Sequence, residues 1–322
     1  MQLLQANTHT IEQASQVIKN GGLVAFPTET VYGLGANGFN PTAVAKIFEA
    51  KSRPKFNPLI LHICDVLQIE QISSIDLKSI ENLVTAFFPG PLTLVVPKKN
   101  IVPDIVTAGN LTVAVRMPNH KIALDLIKSA GVPIAAPSAN KFGKLSPTTA
   151  NHVAKQLKDK VDIILDGGQC SVGVESTIIE ISGNDYYLLR HGGLSTEDIE
   201  KVLGKKLLKK ENSKNPIAPG QLLFHYAPNI PIKFLDKTAI EENKDKKIGA
   251  LLFSEKYLDY NFAVKKSLTA TNSYIEAASN LFYMLHELEY LEIDIILAEP
   301  IPEIGLGKAI MDRLKKAVNT FK

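Results

Sequence analysis

Short apolar runs closed by Gly or Pro recur through the first two-thirds of the chain, and helical spacings of apolar residues lie between them. Strands are expected over residues 23–26, 59–63, 92–96, 112–116, 134–136, 162–165, 177–181 and 186–190. Helices are expected over 10–20, 41–50, 75–87, 120–130, 148–158 and 196–203. Thr10 and Gln13 suit a capping box for the first helix and Gly21-Gly22 ends it, while Pro41 suits a first turn. Residues 112–116 alternate polar and apolar side chains, the mark of a strand with one wet face. Strands and helices mix without strict alternation. The pattern implies an α/β unit on a twisted, mixed sheet.

Residues 201–215, KVLGKKLLKKENSKN, break that pattern with dense lysine, and Asn215-Pro216 and Pro219-Gly220 follow. The composition is that of a linker, with the lysines read as a solvated face or, alternatively, an RNA contact. The next stretch, APGQLLFHYAPNIP, is too rich in specific side chains for a plain spacer. Beyond it, strands near 232–235, 248–253 and 293–297 and helices over 272–289 and 307–319 make a second, smaller α/β unit. The expected organisation is 1–204, a linker 205–230, and 231–322.

Composition narrows the function classes. The chain has 322 residues, 45% hydrophobic and 21% charged, enough to bury a sizeable core. A net charge of +3 does not announce a nucleic-acid binder. Cys64 and Cys170 show no metal-ligand spacing and read as reduced thiols. With no basic and apolar leader at the start and no long apolar span, a cytoplasmic protein is expected.

Candidate chemistry lies at the strand ends. Gly33-Leu34-Gly35-Ala36-Asn37-Gly38 spells a dinucleotide fingerprint. That motif needs a strand running straight into the glycines and a helix opening on them, and residues 27–32 intervene here. Lys51 and Arg53, pinned by Pro54 and Pro58, read either as an anion receptor or as helix-end cations. Ser138-x-Asn140 follows a strand end, with Lys141, Lys144 and Ser146 just beyond; Arg116 and Arg190 close two further strands. Together these groups suit a triphosphate, since arginine grips phosphate oxygens in pairs and lysine acts as a point charge. Thr28, Thr30 and Tyr32 alternate in what reads as an extended loop; with His62 and Ser176 they could ring a small polar substrate, or simply satisfy local backbone. No nucleophile–base motif stands out. The chemistry implied is phosphate positioning and charge neutralisation, with any Mg²⁺ arriving on nucleotide phosphates.

The motifs P-T-E-T-V-Y-G-L-G at 27–35, K-S-R-P at 51–54, F-P-G-P-L-T at 88–93, V-R-M-P at 115–118, P-S-A-N at 137–140, E-S-T at 175–177, L-R-H-G at 189–192 and H-Y-A-P at 225–228 carry a resemblance. The chain resembles the L-threonylcarbamoyladenylate synthases of the long type, which join a YrdC-like catalytic domain to a smaller Rossmann-like α/β domain. The resemblance implies a nucleotidyltransferase that turns L-threonine, bicarbonate and ATP into threonylcarbamoyl-AMP and diphosphate, with Mg²⁺ accompanying ATP. It implies catalytic roles for Lys51, Arg53, Ser138 and Asn140. Arg53, Asn57, Thr112, Ser138, Ser146, Arg190 and Tyr226 would contact ATP, and Thr30, His62, Arg116 and Ser176 the threonine. The product would pass to a tRNA threonylcarbamoyl-transfer complex, with weak direct contact to tRNA. The family often has a basic residue before H-Y-A-P, where this chain has Phe224. An RNA-binding module, or the same chemistry on another acceptor, are the alternatives.

Overall fold

The computed structural model describes every residue except Lys55, 211–215, Leu223 and Lys322. The described residues form two sheets. The larger uses β1 (Gln2–Gln5), β2 (Val24–Phe26), β3 (Gly33–Asn37), β4 (Ile60–His62), β5 (Leu92–Pro97), β6 (Thr112–Arg116), β7 (Ile134–Ala135), β8 (Ile163–Asp166), β9 (Thr177–Ser182), β10 (Asp185–Arg190) and β11 (Leu208–Lys209). Their order is β1-β8-β2-β3-β7-β4-β6-β5-β9-β10-β11. The sheet is mixed: β2 runs parallel to β8 and antiparallel to β3, and β6 parallel to β4 and antiparallel to β5. The smaller sheet joins β12 (Ile232–Phe234), β13 (Ile248–Leu252), β14 (Val264–Ser267) and β15 (Ile295–Ala298) in the order β12-β15-β13-β14, all parallel. Among the described residues no helix is long and apolar enough to cross a membrane.

Several expectations need correction. Residues 33–37 are a strand, not a loop, antiparallel to β2. The glycines there make room for the Phe26 ring: a Cβ on Gly35 would lie 2.8 Å from Phe26 Cε1 and 2.7 Å from Ile134 Cγ2. The next helix, Pro41–Lys51, opens on Asn40, whose side chain accepts from the amides of Thr42 and Ala43. The glycine fingerprint is therefore sheet packing. The first helix is capped three residues earlier than expected, by a box between Asn7 and Thr10. Residues 77–80 form a 3₁₀ turn before the helix Glu81–Phe87. Strands β1 and β14 escaped the pattern because their side chains are largely exposed and polar.

The wet face expected on β6 is absent. Thr112, Ala114 and Arg116 share that face, yet Ala114 is buried with Ile60, Val95, Ile178 and Ala218. The covering comes from the connecting segment, where Asn110 Nδ2 donates to Pro216 O and Ala218 packs down. Part of the lysine-rich stretch is also structured. β11 adds to the sheet edge beside β10, and Lys210 pairs with Glu180 at 2.5 Å. Its remainder, 211–215, lies outside the described residues.

The two sheets share one apolar cluster. Val31, Leu145 and Val174 from the larger unit and Tyr226 from the connection pack with Phe282, Leu285 and Leu314 of the smaller. Each large side chain buried there contributes about 1.5–3 kcal/mol.

Candidate active site

One cavity lies where the carboxyl ends of β4, β6 and β10 meet the loop after β7 and the connecting segment. Its walls include Arg53, His62, Arg116, Ser138, Glu175, Ser176, Arg190, Pro219, Gly220, His225 and Tyr226. Seven of the residues expected in the site thus share one enclosure: Arg53, His62, Arg116, Ser138, Ser176, Arg190 and Tyr226.

The helix Pro41–Lys51 ends at Ser52, whose φ of 52° turns the chain out of helical geometry. Lys51 therefore projects inward rather than into solvent. Its Nζ donates to the carbonyl oxygens of Ser138 and Asn140, bracing the loop after β7. Burial first, and the neighbouring Arg53 second, push its ammonium well below the usual lysine range. Such a cation is stabilised by any anion brought alongside. Arg53 donates to Asn57 O at 3.3 Å and Pro58 O at 3.0 Å. Among the described residues, neither amide atom of the buried Asn57 side chain has a partner. Ser138 Oγ and Asn140 Oδ1 lie 2.5 Å apart, and Asn140 Nδ2 closes the loop on the carbonyls of Lys141 and Lys144.

On the opposite side, Arg116 pairs with Glu29 at 2.7 Å, and its Nε donates to Gly90 O. Arg190 donates through Nε and Nη2 to Ser176 O, at 3.1 and 2.9 Å, and through Nη1 to Pro219 O. Ser176 Oγ shares a hydrogen bond with Thr93 Oγ1 at 2.7 Å. His62 packs edge-on to Phe26; its Nδ1 is buried and has no partner among the described residues. Burial, helped by Arg116, brings its imidazole down to about 3, so it stays neutral at physiological pH.

The remaining expected residues are placed differently. The loop at 28–32 is a hydroxyl-capped turn, not an extended segment, because Thr28 Oγ1 accepts from the amides of Thr30 and Val31. Thr28 lines the cavity, whereas Thr30 sits behind it, its Oγ1 2.8 Å from that of Thr28. Tyr32 turns away and donates to Gly168 O. Ser146 reaches the wall indirectly, donating to Glu175 Oε1 at 2.5 Å. Thr112 stands at the other end of β6 from Arg116, on the same face. Tyr226 is buried with φ +63°, over the Phe282 ring. Phe224 is 60% exposed and makes no wall. Glu29, Glu175 and Arg313 were not anticipated as site residues. The first two stand inside quoted motifs, but Arg313 reads as one more surface cation of an amphipathic helix.

Residues 16–192 match the Sua5/YciO/YrdC family model, described as telomere recombination, and residues 194–318 match the model described as threonylcarbamoyl-AMP synthase, C-terminal domain. The chain is 44% identical over 323 residues to a threonylcarbamoyl-AMP synthase of Pyrococcus abyssi, covering 95% of this chain and 93% of that one. It belongs to the threonylcarbamoyl-AMP synthase family. A second member, from Bacillus subtilis, is 42% identical over 98% of this chain and 94% of its own. The crystal structure of P. abyssi Sua5 complexed with L-threonine superposes with a TM-score of 0.89 at 42% identity, covering 99% of this chain and 97% of that one. The two-domain architecture of this threonylcarbamoyl-AMP synthase family, a mixed-sheet unit followed by a smaller α/β unit, is the one described above.

Proposed function

We propose that the chain condenses L-threonine, bicarbonate and ATP into threonylcarbamoyl-AMP, releasing diphosphate and water, as the first step of a tRNA modification next to the anticodon. The observation that carries this reading is the convergence of Arg53, Arg116 and Arg190 on one enclosure whose other walls present Ser138, Ser176 and His62. Three guanidinium groups suit two anionic ligands, a triphosphate and an amino-acid carboxylate.

In this reading Lys51, Arg53, Ser138 and Asn140 serve the phosphates and the reacting centre. Asn57, Thr112, Ser146, Arg190 and Tyr226 hold the nucleotide; Thr30, His62, Arg116 and Ser176 hold threonine. Arg116 takes the α-carboxylate, and neutral His62 offers its free ring nitrogen to the hydroxyl. A site that hydrogen-bonds a hydroxyl rejects analogues lacking it far more strongly than an apolar pocket does. The carbamate oxygen of N-carboxythreonine attacks the α-phosphorus and diphosphate leaves. The protein's part is to align the two and offset the charge that develops. Magnesium would arrive with ATP and supply charge neutralisation there, since the Glu175 carboxylate is already engaged by Arg313 and Ser146.

The cavity is narrow between its walls and open to solvent on one side. We read 205–230 as a linker between a catalytic unit 1–204 and a C-terminal unit 231–322, with the residues near His225–Pro228 closing over the bound nucleotide. The product, a mixed anhydride, calls for a nearby acceptor such as a tRNA threonylcarbamoyl-transfer complex in the cytoplasm.

Diphosphate release tests the reading. It should require ATP, bicarbonate and L-threonine together and fall steeply in Lys51→Ala and Arg53→Ala. Release without threonine, or unchanged turnover in both variants, would overturn it.

A further inference from the structure

Arg313, on the helix Gly307–Asn319 of the C-terminal unit, is fully buried and reaches across to the cavity wall. Its Nε donates to Glu175 Oε2 at 2.9 Å and its Nη1 to His191 O at 2.8 Å. The guanidinium carbon lies 5.1 Å from the centre of the Tyr226 ring. The same helix sends Lys316 Nζ to Gly220 O at 2.7 Å. Arg313 Nη1 also donates to its chain neighbour Asp312 at 2.7 Å, and Lys316 Nζ balances that carboxylate from the next turn. The other three contacts of Arg313 are placed with regard to the site: Glu175 precedes Ser176, His191 follows Arg190, and Tyr226 is itself a wall.

Burial of an Arg–Glu pair is a poor way to hold two domains together. Each ion loses several kcal/mol of hydration, and apolar residues of like volume often serve as well or better. Beside it the units meet through an apolar cluster, and only at the rim through a second ion pair, half-exposed Lys308 with Glu197 at 2.6 Å. The electrostatics of the cavity offer a reason for the pair. Glu175 is a carboxylate on a wall otherwise lined by Arg53, Arg116 and Arg190, and Arg116 already has Glu29. An uncompensated Glu175 would repel phosphate oxygens. It is nonetheless useful there because its other oxygen takes the Ser146 hydroxyl. Burial would raise its carboxyl, but Arg313, Arg190 and the Ser146 hydrogen bond outweigh that and bring it down to about 2.

We propose that Arg313 is a positioning residue for ATP. Resting on the nucleotide-site reading above, it cancels the charge of Glu175 and fixes that side chain on Ser146, so the C-terminal unit completes the catalytic unit's nucleotide site.

The test is Mg·ATP binding by calorimetry in the full-length wild type, Arg313→Gln, Glu175→Gln and the double variant, with thermal melting alongside. Arg313→Gln should weaken ATP at least tenfold and shift KM for threonine less than kcat/KM for ATP. Arg313→Gln with Glu175→Gln should return ATP affinity to within about threefold of wild type, because the stranded charge is gone. Glu175→Gln alone should bind ATP as well as wild type or better. Arg313→Gln with wild-type ATP affinity and only a lowered melting temperature would overturn the proposal, as would a double variant no better than Arg313→Gln. If Arg313→Gln does not fold, Glu175→Gln still decides, since a tenfold loss of ATP affinity there would make Glu175 itself the ligand. Failure of the wild type to bind ATP would instead refute the nucleotide-site reading.

Discussion

Arg116 and Glu29 stand 2.7 Å apart, both buried beside the cavity, from two motifs far apart in sequence. Removing one partner of such a pair strands the other in a low dielectric, at about 3–5 kcal/mol. Arg116→Ala should therefore be destabilised by that amount, and adding Glu29→Gln should recover most of it. Both should need far more threonine for half-maximal turnover. Thermal or urea melts of the two proteins decide the matter; equal melting temperatures would show that the pair does not couple.

Lys51 braces two carbonyls, so its loss should be structural and catalytic at once. In Lys51→Met the oxygens of Ser138 and Asn140 lose their donor, each at about 1–3 kcal/mol. Turnover should fall on the order of a hundredfold, the scale on which a positioned cation or donor acts. Diphosphate release, with circular dichroism to verify folding, is the measurement.

Two glycines should respond to very different degrees. A Cβ on Gly192 would lie 2.2 Å from Ser176 C and 2.3 Å from Glu175 O, so backbone in the cavity wall must move. Gly192→Ala should cost about 3 kcal/mol or more and remove most activity. Gly168, at φ +82° with nothing within 4 Å, should lose only about 1–2 kcal/mol as alanine, from backbone strain alone. Melting temperatures and specific activities of the two variants check the contrast.

Acid sensitivity should come from neutral histidines. Burial pushes His62, His152 and His225 each down to about 3. Their folded values lie below the unfolded value of about 6.5, so on acidification the unfolded chain takes up protons first. Stability is whole above about pH 6.5 and is lost as pH falls toward 3, at about 1.4 kcal/mol per pH unit for each histidine. His152, stacked on His286 at 3.9 Å between the two units, is the one to replace. His152→Asn should make the pH dependence of urea midpoints between pH 6.5 and 5 measurably flatter. A slope equal to wild type would contradict this.

Much of this was legible in the sequence because the site is built from strand ends, and apolar runs mark strands well. β4, β6, β9 and β10 were placed within a residue or two, and that brought His62, Arg116, Ser176 and Arg190 toward one edge. Turn chemistry was less legible. Thr28, Thr30 and Tyr32 alternate on paper, but the Thr28 hydroxyl captures two amides and sends Tyr32 elsewhere. Long-range cover was not legible at all. Nothing local in Thr112–Arg116 says that Ala218 will lie on its polar face, and although helical spacing sets Arg313 beside Ile310, Leu314 and Ala317, it does not say that Glu175 waits there.

The most direct test of the whole account is a reaction with labelled bicarbonate, ATP and L-threonine, followed by isolation of the nucleotide product. The account predicts a labelled adenylate that carries threonine, formed in step with diphosphate and strongly reduced with Arg53→Ala. ATP cleaved to ADP and phosphate, or an AMP product without label, would contradict it.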